Sequence, residues 1–558
     1  MQTSRSRVSW INQIGALQSA AGAQARARRR GSAQPPFAIV VPAVLVAAGM
    51  LVPLIYLIIR VSEAGSSIWG LVFRARTLEI LENTAVLGLA VSATAIVIAV
   101  PLAWLTARTD IPGRRLWAVT APLPLVIPSY VGALTIIAAF GPKGLLQEAL
   151  AGPFGVERLP EIYGFTGAWI TLTLFTYPYV YLSVRAAIRG LDPSLDEAAR
   201  CLGHGPWRTF LLTTLPQLRP AIAAGAMLTI LYTISDFGVV TLLRYDAFTR
   251  AIYVQYRSAF DRTLAAALAL VLIAFAVVLL AIESRIRGRA AYYRLGSGAA
   301  RKSRAIALGG WRYPAAAFAG AVFSLSLGLP LAVLVYWLAK GASRNEAAQN
   351  LGTSAWHSVS VSSMAAVACT VAALPIAILA ARYPGRLGRY AERLSYVGYA
   401  LPGIVIALSF VFLGARYLPS LYQTLPLLIV AYMVRFLPQS IGATRTSLLQ
   451  ISPRMEEAAR NLGRSPLGAV TSVTAPLARP GIAVGAALVY LTVMKELPIT
   501  LLLSPTGYRT LGTSIWTATG SGAYGQAAGP ALLLIGLSLV PTLLLIVREH
   551  GGAPRGDL

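Results

Sequence analysis

The sequence predicts an all-α polytopic membrane protein built as two six-helix halves. Three observations predict it. The chain of 558 residues is 56% hydrophobic and only 12% charged, where soluble domains carry about twice that charged fraction, and its mean hydropathy is +0.65. Apolar runs of some twenty residues recur along its whole length, the length needed to span a bilayer as a helix. A polar segment inside this apolar chain occurs twice. Pro193 to Gly225 reads PSLDEAARCLGHGPWRTFLLTTLPQLRPAIAAG, and Pro453 to Gly485 reads PRMEEAARNLGRSPLGAVTSVTAPLARPGIAVG. The two align without a gap at an offset of 260 residues, with fifteen identities.

Twelve candidate spans follow from the apolar runs, at roughly 37–60, 83–106, 116–139, 166–187, 221–243, 263–283, 314–339, 357–380, 392–414, 424–443, 480–504 and 528–547. The net charge of +27 sits in the loops between them, so it reads as a topology signal and not as a nucleic-acid surface. One side holds Arg26–Arg30, Arg108, Arg114, Arg115, both polar repeats, Arg285–Arg312, Arg382–Arg393 and Arg548; the other is sparser, with Arg244, Arg250, Arg257 and Arg262. The positive-inside rule then places both termini and both repeats in the cytoplasm. The first 36 residues are Arg- and Ala-rich, and the run Phe37–Ile59 is long enough to span, which predicts an uncleaved first helix in place of a signal peptide.

The halves repeat beyond the polar segment. At an offset of 274, Pro101 matches Pro375, Arg108 matches Arg382 and Pro128 matches Pro402; at 260, Pro178 matches Pro438. The change of offset assigns a longer external loop, around Gly141–Tyr163, to the first half. Six spans per half make the repeats parallel, related by an axis along the membrane normal. The expected organisation is a basic arm 1–36, a first lobe 37–284 with a hairpin at 191–220, a basic linker 285–312, a second lobe 313–548 with a hairpin at 451–480, and a tail 549–558.

Within each repeat, Pro193 or Pro453 suits the first turn of a helix. Glu197 with Arg200, and Glu457 with Arg460, sit at i,i+3 and can share a face. Gly203 and Gly463 can take the positive φ that ends a helix, after which Pro206 and Pro466 can open a second one. Pro216, Pro220, Pro476 and Pro480 mark re-entry into the membrane. An ordinary amphipathic loop helix would explain one such hairpin, but not two at equivalent places.

The pattern Glu-Ala-Ala, three residues, then Gly resembles the EAA loop of ABC importer permeases, and both copies carry it. The resemblance implies the type I ABC importer permease fold. It also implies that Glu197, Ala198, Ala199, Arg200 and Gly203, with Glu457, Ala458, Ala459, Arg460 and Gly463, form coupling helices that dock in a groove of an ATP-hydrolysing subunit. The chain has no GxxxxGK[ST] phosphate loop, so ATP and Mg are expected on two copies of a separate cytosolic ATPase.

Asp236 in LYTISDFGVVT and Glu496 in LTVMKELPITL are again 260 apart. Ionisable groups in a span are costly, about 2.5–3.5 kcal/mol at its centre, so they face a cavity or a partner. Carboxylates are hard donors and suit hard cations. Lys495 offers the other reading, a structural ion pair with one of them, and a breakable pair at a gate would satisfy both. The stretches Ser235–Tyr253 and Met494–Trp516 resemble fused permeases of ferric iron ABC importers, over nearly the whole chain. That resemblance implies Fe(III) as cargo, delivered by a periplasmic ferric-binding protein to a permease in the bacterial inner membrane, with Asp236, Glu496 and Lys495 on or near the path. Related permeases carry thiamine, polyamines or phosphonates.

Other signals lead nowhere. Cys201 and Cys369 make no disulfide framework. His204, His357 and His550 lie too far apart in sequence for a metal cluster. Tyr177, Tyr179 and Tyr181 offer phenolic oxygens, but tyrosines near span ends more often anchor or pack. Asp110-Ile-Pro-Gly-Arg-Arg115 is similar to a loop of twelve-helix secondary carriers, with Thr106 and Ile111 departing from that pattern; a basic inside loop explains it, and the hairpins have no role in such a carrier. No nucleophile–base pair supports an enzyme, and no nucleic-acid partner is expected.

Overall fold

The computed structural model describes residues 35–551, apart from 64, 66, 143, 259–262, 288–304, 342–344 and 384. Most of the expected N-terminal arm, linker and C-terminal tail therefore lies outside the described residues. The described residues are helical throughout, with a single isolated bridge between Thr109 and Ile306 and no strand. Among the described residues, ten helices are long and apolar enough to cross a membrane, from Phe37–Ser62 to Tyr524–Leu543; the broken pair Arg386–Tyr399 and Gly403–Tyr417 would make eleven. The expected count of twelve is not reached on this measure. The remaining segment, the 26-residue helix Phe165–Gly190, is about 39 Å long and so amply long enough. Its Thr and Tyr residues lower its apolarity, and it is buried along most of its length.

The contacts divide the chain into two compact units. The larger comprises Leu51–Ala366, Val397–Phe436 and Val489–Leu558. Its frame is three long helices packed together: Ala75–Arg108, Phe165–Gly190 and Leu215–Ser235. Trp104, Tyr177, Tyr181, Val184, Ile188 and Leu218 form one buried cluster of that frame, and Leu87, Val91, Leu172, Val239 and Leu243 form another. Hydroxyls within these helices do not open them. Thr84, Thr94, Thr106, Thr176 and Thr229 each donate to the carbonyl four residues back, which satisfies the hydroxyl without water. Leu89 and Val97 on the same frame stay exposed, as a lipid-facing surface requires.

The stretch after Arg108 has a structural use. The Ile306 N–H donates to the Arg108 carbonyl, the Asp110 N–H donates to the Ile306 carbonyl, and the Asp110 carboxylate accepts from the Leu308 N–H. The carrier-like loop thus stitches the end of the linker to the first lobe's second span.

The smaller unit comprises residues up to Met50, Val367–Tyr396 and Leu437–Leu488. The Phe37–Gly49 helix packs on Arg386–Ser395 there. Arg445 pairs with Glu392 at 3.2 Å. Gly481 and Gly485 allow close approach to Ser447 and Ser440, since a Cβ at Gly481 would lie 2.2 Å from the Ser447 Cβ.

Four expected spans are interrupted, and the interruptions match between halves. The first-half segment expected at 116–139 breaks at Ile127–Pro128 before the Ser129–Phe140 helix, and its counterpart breaks at Pro402 before Gly403–Tyr417. The spans expected at 221–243 and 480–504 stop at Ser235 and Met494, and short helices Gly238–Leu242 and Pro498–Leu503 follow. A Pro cannot donate and disfavours helix in the residue before it; at the other two breaks the carboxylate itself ends the span.

Candidate functional site

Asp236 and Glu496 occupy the two span breaks. Asp236 is 7% exposed and sits in extended backbone after its helix. Its carboxylate accepts the Val239 N–H at 2.8 Å and the Ser129 hydroxyl at 2.5 Å. Glu496 accepts the Ile499 N–H at 3.4 Å. Each acid therefore caps the short helix that follows it, satisfying a donor with no intrahelical partner. Thr249 and Thr500 donate to the backbone carbonyls of Asp236 and Glu496 in turn.

Both acids line one cavity of about 140 Å³ in the larger unit, with Ser129, Tyr179, Tyr232, Arg435 and Lys495. That is room for on the order of ten waters. The two sides of the cavity are chemically unequal. On the second-half side, Arg435 Nε lies 3.5 Å from Glu496 Oε2. At an offset of 260 the first half has Phe175 in place of Arg435 and Ser235 in place of Lys495. At 274 it has Ser129 in place of Gly403. The first half thus holds its acid with a hydroxyl, the second with a guanidinium. Gly403 makes room for that pair, because a Cβ there would lie 2.5 Å from both Arg435 Nη1 and Glu496 Oε1.

Lys495 does not pair with either acid. Its ammonium donates to the Leu125 carbonyl at 2.8 Å, so the cation that neutralises Glu496 is Arg435. Of the three tyrosines singled out by spacing, Tyr177 donates to the Ala121 carbonyl, Tyr181 shares a hydrogen bond with Thr106, and Tyr179 reaches the cavity. Among the described residues, no group of three or more His, Cys, Asp or Glu side chains could hold a metal ion.

The two polar repeats fold alike, each within its own unit. Helices Pro193–Cys201 and Pro453–Asn461 each start on the expected Pro, and new helices start at Pro206 and Pro466. Gly203 and Gly463 have φ of +85° and +87°. The N–H groups of His204 and Arg464 reach back to the carbonyls of Ala199 and Ala459, the six-to-one bond of a glycine-terminated helix. Glu197, Ala198 and Arg200 are exposed and Ala199 is buried; Glu457, Ala458 and Arg460 are exposed and Ala459 is half-buried. Neither Glu197–Arg200 nor Glu457–Arg460 closes as an ion pair among the described residues, so both exposed acids keep their charge outward. Leu202 and Leu462 are 80% and 87% exposed. An identical bare leucine at the tip of each hairpin is a pair of apolar knobs that charge-centred reading of the sequence passed over.

The sequence reading also missed Arg435 and Ser129. Arg435 is an isolated charge inside an apolar run, which is itself a signal; Ser129 has no such mark.

Comparison with known proteins accords with this architecture. Residues 95–292 and 373–547 match the family described as the binding-protein-dependent transport system inner membrane component. An Fe(3+)-transport system permease protein of Haemophilus influenzae is 34% identical, across 92% of this chain and 98% of that protein. A ferric transport system permease protein of Actinobacillus pleuropneumoniae is 25% identical, across 74% of this chain and 63% of its own length. A molybdenum transport system permease protein of Escherichia coli is 33% identical over 27% of this chain. The chain is an all-helical integral inner-membrane permease of the ABC class, with two lobes in one polypeptide, and belongs to the binding-protein-dependent transport system inner membrane component family.

Proposed function

We propose that this chain is the permease subunit of an ATP-driven importer of ferric iron. Identity to a Haemophilus influenzae Fe(3+) permease along nearly the full length of both proteins carries the substrate assignment. In this reading a periplasmic ferric-binding protein delivers Fe(III) to lobes 37–284 and 313–548, and two copies of a cytosolic ATPase hydrolyse Mg-ATP beneath them. The hairpins at Gly203 and Gly463 face the cytoplasm. Their exposed Glu197, Glu457, Leu202 and Leu462 dock in the ATPases, and alternating access follows the closure of those subunits.

Asp236 and Glu496 are the hard oxygen donors nearest the path. Each already spends hydrogen-bonding capacity on Ser129, Val239 or Ile499. A pair of partly committed carboxylates suits a site that the ion must leave. The test is radiolabelled ferric iron uptake by iron-starved cells, with and without the gene, under thiamine and polyamine competition. Uptake that needs the gene and ignores the competitors supports iron. Gene-independent iron uptake with gene-dependent uptake of an organic cation would move the substrate.

A further inference from the structure

Behind its exposed face, each hairpin is held by three side chains at equivalent positions. In the second hairpin, Arg382 ends the long helix Asn345–Arg382. Its Nε donates to Glu456 Oε1 at 2.6 Å and its Nη1 to the Ile451 carbonyl at 3.2 Å. Thr474 donates to the same Glu456 oxygen at 2.6 Å. The Arg382 and Glu456 side chains are only 8% and 16% exposed. In the first hairpin, Arg108 ends Ala75–Arg108 and donates to the Leu191 carbonyl at 3.4 Å. Thr214 donates to Asp196 at 3.0 Å. Here the acid is one methylene shorter, and no Arg108–Asp196 ion pair closes among the described residues.

Thr214 and Thr474 are each the last residue of a five-residue π-helical turn, Phe210–Thr214 and Val470–Thr474, at the foot of the following span. Such turns are rare and cluster at functional places, because they widen the helix and leave it less tightly bonded. The turn recurs at the same place after both hairpins, while a third, Ser324–Gly328, lies elsewhere; what links the first two to the hairpins is the bond from Thr214 or Thr474 to the hairpin acid.

We infer that Arg382–Glu456–Thr474 is a latch that fastens the second coupling helix to both neighbouring spans, and that Arg108–Asp196–Thr214 is its looser first-lobe counterpart. The inference rests on the hairpins being the ATPase contact. Arg382 is a positioning residue: it sits behind the acid next to the exposed Glu457 and sets how firmly that face is presented. A push on the second hairpin passes through the ion pair into two spans at once, whereas the first hairpin has slack. The two ATPase contacts are then mechanically unequal, although their exposed sequences are nearly the same.

Hydrogen exchange on the purified full-length chain in lipid nanodiscs tests this. Amides 456–463 should exchange about tenfold more slowly than amides 196–203, because a charge-assisted bond held by two donors restrains one and not the other. Glu456→Asp should bring the second hairpin to the rate of the first, and Asp196→Glu should slow the first. Glu456→Gln, which keeps an acceptor for Thr474 but no charge for Arg382, should lose most of the protection, and Thr474→Ser should keep it. Equal wild-type rates, or rates that the Asp and Glu exchanges leave in place, overturn the latch. ATP-driven uptake in membranes carrying the assembled complex separates the two layers. Exchange that shifts as stated, with uptake intact even in Gly463→Pro, would leave the latch standing and overturn the coupling reading beneath it. Uptake lost in Gly463→Pro with no shift in exchange does the reverse.

Discussion

Replacing Arg435 by Met removes the one cation among the described residues that pairs with Glu496. Removing one partner of a fully buried pair costs about 3–5 kcal/mol, because the remaining charge stays in a poor solvent. Three features of this pair lower that figure. The Nε–Oε2 separation is 3.5 Å, Arg435 keeps 20% of its side chain exposed, and Glu496 retains the Ile499 N–H. The expected loss for Arg435→Met is therefore about 2–3 kcal/mol. Glu496→Gln alone should cost about 1–2 kcal/mol, since Arg435 can still reach the Leu401 carbonyl and the cavity. The double variant, with neither charge, should be more stable than Arg435→Met alone. Equilibrium unfolding in mixed SDS micelles, followed by tryptophan fluorescence, measures all three. Losses that simply add, within about 0.5 kcal/mol, would show that the two groups do not interact and refute the electrostatic account of the cavity.

Other outcomes follow from the same geometry. Gly403→Ala places a Cβ against both members of that pair and should cost about 1–3 kcal/mol by overpacking, measured in the same unfolding assay; a neutral result would mean that the second break is more pliable than described. Asp236→Asn with Glu496→Gln should cut ferric iron uptake at least tenfold while leaving co-purification of the ATPase intact, and full activity would make these acids structural caps only. Leu202→Asp with Leu462→Asp should abolish co-purification of the ATPase without changing the amount of permease in the membrane; retained binding would remove the apolar knobs from the interface.

The hairpins were legible to the residue, because a helix start at Pro, a positive-φ Gly and a second Pro are local instructions that the chain repeats. Both glycines adopt the left-handed conformation that the spacing demands. The span ends were less legible. Apolar residues resume on both sides of Asp236 and of Lys495-Glu496, so the runs read as single spans, whereas each acid turns on its own backbone and restarts the helix. The helix Phe165–Gly190 shows the converse. It is buried among other helices and can carry Thr and Tyr that a lipid-facing span of similar length avoids. The cavity was half legible. Two equivalent carboxylates marked its place, but the partner of Glu496 lies on a helix some sixty residues earlier, and only packing makes Arg435, and not the adjacent Lys495, the neutralising group. The Arg108 and Arg382 match was visible at an offset of 274, yet it read as loop charge. Its use depends on a carboxylate 74 residues away in the second half and on backbone carbonyls 80 and 83 residues away in the first.

The most direct test of the central claim is ATP-driven ferric iron uptake with the hairpins disabled. Glu197→Ala and Gly463→Pro, singly and together, are compared with wild type in membranes containing the partner ATPase and binding protein, with permease abundance measured in parallel. The account predicts that the combined variant inserts normally and transports nothing, because Pro cannot adopt the positive φ of Gly463 and Glu197 is an exposed acid with no ion-pair partner among the described residues. Wild-type uptake with both hairpins disrupted would contradict it.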